Sequence, residues 1–239
     1  ALLKDRGLAP GAAALLGRRL HEALGGQPGD VLEQLDALLS AGWLVPGPGG
    51  SLRPLHPVED LRSEPLPVPA RVREVVEARL GRLRPPLVRM LEGLAVAGEE
   101  VPLRLLALAV DLPPDGVHEL AGAGWVRARP EGLDEVVAFA DARPASAVLA
   151  RLDPATRTDL HLAWAQAGTA ILRGRRGAAF LARHRIRGGR AAEAWRPLVD
   201  ALWQAWNQDD PEVVAACLPL ALEAGPVANG ALPPAEGAR

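Results

Sequence analysis

No uninterrupted apolar run in this chain is longer than six residues, as in LLALAV from Leu105 to Val110. A bilayer crossing needs about 18 to 20 such residues, so the sequence predicts no membrane span. The apolar side chains, 49% of 239 residues, must be buried as stripes on short elements, enough for one large domain or two to three small ones. The 23 prolines and 25 glycines set where those stripes stop. The opening residues ALLKDRGLAP have neither a starting Met nor a signal or transit pattern, so the chain is expected to begin inside a longer protein.

Reactive side chains are scarce. Cys217 is the one cysteine, which excludes an intramolecular disulfide and a zinc site of paired thiolates and fits a cytoplasmic location. Lys4 is the one lysine, and it sits in LLKDRG with no glycine loop before it, so Walker-type and kinase signatures are both missing. The five histidines, at 21, 56, 118, 161 and 184, never fall at i and i+4, and none pairs with a carboxylate at metal-ligand spacing. Ser40, Ser51, Ser63 and Ser146 are not in nucleophile elbows. No catalytic residue, metal site or cofactor is expected in this chain. The net charge of -2 gives no global pull toward nucleic acid.

The periodicity predicts a mainly α fold. Residues 11 to 42 read as two helices, the first ending near Leu24 and the second opened by Asp30, with Leu32, Leu35, Leu38 and Leu39 as its stripe and Gly42 as its left-handed end. Trp43 to Leu55 reads as a small hairpin, completing a first part at 1–55, and 56–69 as a proline-rich linker. Val72, Val75, Val76, Leu80 and Leu83 predict a helix stopped by Pro85-Pro86, followed by helices near 87–97, 102–110 and 114–122. The period then switches: Trp125 to Arg129 and Val136 to Ala140 flank a turn at 130–132. Three helices closed by a hairpin describe a winged helix at 70–152.

From Asp153, a cap followed by Pro154, paired helices around Gly188-Gly189 read as TPR-like repeats over 153–224. Pro197 is expected to kink or split the helix that carries Trp195, Leu198 and Leu202, and 225–239 reads as a disordered tail. One echo runs through the chain: LDALLSAGWLV at 35–45 and VHELAGAGWVR at 117–127 both carry a helix into Ala-Gly-Trp and a hairpin.

Charge narrows the partners. The candidate recognition segment of the winged helix, Val101 to Gly122, carries Arg104 alone against Asp111, Asp115 and Glu119, so a phosphate backbone would repel it and nucleic acid is disfavoured. Between Ile171 and Arg190 lie Arg173, Arg175, Arg176, Arg183, Arg185, Arg187 and Arg190 with no acid, either a solvated face or a landing surface for an acidic partner.

Four pieces in order resemble the region that follows the nucleotide-binding core in bacterial STAND-type, AAA-related signalling ATPases, over about residues 10–206. They are the helix, Gly25-Gly26-Gln27-Pro28 and VLEQLDALLSAGWL; LPVPARVREVVEARLGRL at 66–83; Phe139-Ala140-Asp141 with ASAVLARLDPATRTDLHLAWA at 145–165; and LARHRIRGGRAAEAW at 181–195. The resemblance implies a lid, a winged helix and the start of a TPR-like sensor array, working beside a separate P-loop domain that holds ATP or ADP. Pro28 would pack near the base; Asp141 stands where the family usually has a phosphate-contacting His. The expected function is a non-catalytic regulatory module that binds a protein partner through its repeats. The alternatives are a winged-helix DNA-binding regulator and an enzyme with an unrecognised active site.

Overall fold

The computed structural model describes residues 7–24, 27–55, 66–132, 134–172 and 174–228, with the backbone alone for Glu22, Ala23, Arg175 and Arg176. Among them are eleven α-helices and five short strands, mainly helical as the periodicity predicts. The chain divides into two compact units: residues up to Arg82 with Ala142–Ala147, and Leu83–Asp141 with the residues from Val148.

In the first unit α1 (Pro10–Leu24) and α2 (Pro28–Ser40) lead into the antiparallel hairpin β1 (Leu44–Pro46) and β2 (Leu52–Pro54), and α3 (Ala70–Leu80) follows. Helix α2 starts two residues before the expected Asp30. Gln27 stands at its N-cap and Pro28 takes the first position, where a missing N–H costs nothing; Asp30 sits in the first turn. Leu35 and Leu38 are buried, but Leu32 is exposed, and its expected place on the inner face is taken by Gln34. Gln34 lies one turn before Leu38 and keeps its amide satisfied by donating from Nε2 to the Pro67 carbonyl at 2.5 Å. The core joins Leu16 and Leu20 to Leu35, Leu38, Trp43, Leu44 and Leu52. On α3, Val76 and Leu80 are buried while Val75, expected beside them, is exposed. Of the expected linker, 56–65 lie outside the described residues.

The second unit opens with α4 (Pro85–Ala97), which Pro85-Pro86 begin; they do not stop α3 as expected, because α3 ends at Leu80 with Gly81 as its C-cap and leaves Leu83 outside the helix. Then come β3 (Val101–Pro102), α5 (Leu103–Val110), α6 (Gly116–Gly122) and the hairpin β4 (Val126–Glu131) with β5 (Asp134–Phe139). The sheet is antiparallel in the order β3–β5–β4, with Val101 opposite Val137 and Val126 opposite Phe139. Strand β3 was not foreseen, because two residues carry no period. Helix α7 (Ala142–Arg151), also not foreseen, starts in the first unit and ends in the second.

Helices α8 (Pro154–Ile171), α9 (Gly174–Arg187), α10 (Ala191–Asn207) and α11 (Pro211–Ala228) complete the chain. Asp153 caps α8 as expected, accepting from the Thr156 N–H at 2.9 Å. Trp164 of α8 is fully buried and donates from Nε1 to the Gly93 carbonyl of α4 at 2.9 Å, so α8 packs within the second unit. Helix α10 runs unbroken through Pro197. A proline there frees the carbonyl four residues back, and Arg185 of α9 reaches that Glu193 carbonyl from Nη1 at 3.5 Å. Helix α11 continues to Ala228, four residues into the segment expected to be a disordered tail, and 229–239 lie outside the described residues.

Candidate functional site

The residues that the resemblance places near a nucleotide fall in different units, Pro28 in the first and Asp141 in the second. Pro28 is the exposed first residue of α2; Asp141 is exposed just before α7. An ionised carboxylate only accepts hydrogen bonds, so Asp141 cannot donate to a phosphate oxygen as an imidazole can. The nearby guanidinium of Arg143 lies 2.9 Å from the Asp30 carboxylate.

The first unit does hold a cleft of about 400 Å³. Leu24, Leu66 and Val72 give it an apolar lining, and Arg19, Gln34 and Arg143 bring polar groups to it. The bond from Gln34 to the Pro67 carbonyl fixes the extended 66–69 segment along one side. Chemically such a cleft suits an apolar body, and the charged groups that line it among the described residues, Arg19 and Arg143, are cations.

The arginine-rich stretch is partly neutralised. Arg183 lies 3.3 Å from Glu99 and Arg190 3.6 Å from Glu193. Arg185 spends its donors on the Glu193 carbonyl and on Thr169 Oγ1, while Arg187 is exposed. Arg173 and the side chains of Arg175 and Arg176 lie outside the described residues.

Around α6 charges pair within the unit. Arg104, the one cation of the candidate recognition segment, meets Asp134 of the hairpin at 2.6 Å, and Glu119 pairs with Arg84 of the α4 N-terminus. A cation tied to its own hairpin is a poor phosphate ligand.

Two features escaped the sequence reading. His161 of α8 and His184 of α9 meet Nδ1 to Nδ1 at 2.9 Å, with Trp164 and Phe180 packed around them. His184 is fully buried, and its Nε2 has no hydrogen-bond partner among the described residues. Burial first, then His161 and the Arg183 charge, pushes His184 down to about 3; burial, then Arg187, Arg157 and Arg183, pushes His161 down to about 4. At neutral pH both rings are uncharged, one donating and one accepting. The second feature is an exposed apolar face on α10 and α11, whose signal in the sequence is Val199, Trp203 and Trp206 at i, i+4 and i+7. No group of three or more metal-ligating side chains occurs among the described residues. Compared with protein-family models, curated proteins and solved structures, the chain has no match.

Proposed function

We propose that this chain is the non-catalytic regulatory and protein-interaction part of a cytoplasmic STAND/AAA-type signalling ATPase. In this reading α1 and α2 with the first hairpin are a lid remnant, α4 to β5 a winged helix that packs against protein, and α8 to α11 the start of a TPR-like array. Nucleotide belongs to a P-loop domain of the parent, and the chain itself does no chemistry. The observation that carries the reading is the order of elements. A helix pair with a hairpin, then a strand and helices closed by a second hairpin, then antiparallel helix pairs follow one another as the resemblance implies. The ion pairs of Arg104 and Glu119 favour protein packing over DNA for the α4–β5 region.

A gel-shift titration with mixed-sequence duplex at low salt tests this against the DNA-binding alternative. No shift is expected, since exposed acids gain repulsion as screening falls. A shift that Arg104→Ala weakens and that Asp115→Arg or Glu119→Arg tightens would transfer the function to the DNA-binding class.

A further inference from the structure

Soluble proteins seldom leave whole tryptophans in water, and contiguous exposed apolar faces mark interaction sites. Trp203 and Trp206 are 67% and 75% exposed, on the same face of α10 as Val199. On α11, Leu222 is 70% exposed, one turn from exposed Leu218. These side chains are not spare core. The core between the helices is supplied by Leu198, Ala201 and Ala205 facing Val213, Cys217 and Ala221, with Ala179 and Ala182 of α9 beside them.

The two stripes share one side. A Cβ at Gly225 would lie 2.9 Å from the Trp195 ring, which sets the start of α10 against the end of α11 and makes the pair antiparallel. Each stripe lies about 100° round its helix from the core row, since Val199 follows buried Leu198 and Leu218 follows buried Cys217. In an antiparallel pair, these equal rotations bring both stripes to the seam on the side that α9 does not cover.

The rim is acidic. Asp200 and Glu223 step off the stripe one residue after Val199 and Leu222, and Asp209 and Glu212 flank the α10–α11 turn; Arg196 is the one cation between residues 191 and 228. That charge decides among occupants. A second copy docked face to face would set acid against acid. A membrane surface, which the length and apolar composition of α11 alone would allow, carries anionic headgroups that this rim repels.

We propose that the α10–α11 outer face docks an amphipathic helix of a partner protein whose apolar stripe covers Trp203, Trp206 and Leu222 and whose flanks carry Lys or Arg. Trp side chains serve as anchors in such grooves, and rim charges set preference. The surface itself carries this inference, which stands independently of the ATPase reading and places the partner's charge opposite to that expected at the arginine-rich stretch.

The test is fluorescence polarisation of two labelled synthetic helices titrated with the whole chain. Both carry Leu at i, i+3, i+4 and i+7; one has Lys flanks and the other Glu flanks. The Lys helix should bind about tenfold or more tighter than the Glu helix. Trp203→Ala with Trp206→Ala should weaken it by about tenfold or more with an unchanged circular-dichroism spectrum, and Asp200→Lys with Glu223→Lys should reverse the preference. Equal binding of both helices, or none by about 1 mM, overturns the proposal. So does a dimer in light scattering that the double Trp variant abolishes, or binding to phosphatidylserine vesicles in preference to the Lys helix.

Discussion

His161 and His184 face each other at 2.9 Å; protonating the accepting ring sets N–H against N–H, and protonating the donor at its Nε2 places a charge in a site closed by Trp164 and Phe180. Both rings titrate below the ordinary value of 6.5, at about 4 for His161 and about 3 for His184, so the folded state favours their neutral forms. Their contribution is complete above pH 6.5 and shrinks as pH falls through the interval down to 4 and 3. Urea unfolding of the whole chain should lose stability steadily between pH 7 and pH 4 through this pair, by up to about 6 kcal/mol. His161→Leu with His184→Phe should flatten that dependence; an unchanged slope would assign it to the carboxylates. Gly93 is the other sensitive point, because a Cβ there would lie 2.3 Å from Val110 Cγ1. Gly93→Ala should cost about 1 to 3 kcal/mol in the same measurement, and a neutral result would refute the close packing of α4 on α5. Sequence spacing does not reveal the histidine pair, whose partners are 23 residues apart on two helices.

At the level of elements, the Ala-Gly-Trp echo becomes one device used twice. After α2, Gly42 takes φ +74° and the Trp43 N–H bonds the Leu38 carbonyl; after α6, Gly124 takes φ +71° and the Trp125 N–H bonds the Leu120 carbonyl. Both Trp carbonyls then accept from the far end of the hairpin, from Leu55 and Ala140 at 3.0 Å each. Gly42→Ala and Gly124→Ala should each destabilise by about 1 kcal/mol, since an L side chain resists that conformation. Gly122→Ala, with ordinary helical backbone and nothing within 4 Å, should be neutral or stabilising in thermal unfolding. An equal loss at positions 122 and 124 would contradict this assignment of roles. This device was legible because a cap is local chemistry. The continuity of α10 was not, because the carbonyl that Pro197 leaves without a partner is met by Arg185 from another helix. Nor was the exposure of Leu32 and Val75, since a leucine or valine next to a stripe satisfies the same pattern as one within it.

For the whole molecule, composition and periodicity foretold a mainly helical chain with two hairpins, and the structure has both. In the structure α3 clusters with the first helices, and α8 packs into the α4–β5 region through Trp164. Such boundaries depend on contacts between residues as distant as Gly93 and Trp164, which no local pattern reports. The acidic excess of residues 101–122 was legible as composition, whereas the tryptophan face needed the packing of α10 on α11 to show which side remained bare. The central claim, that this chain serves a nucleotide switch built elsewhere in its parent, is tested most directly by the nucleotide sequence of the gene upstream of the Ala1 codon. The account predicts, in the same frame, a strand followed by a glycine-rich phosphate loop ending in Lys and Ser or Thr, within about one domain length of Ala1. A stop codon, or a domain without that loop, would contradict it.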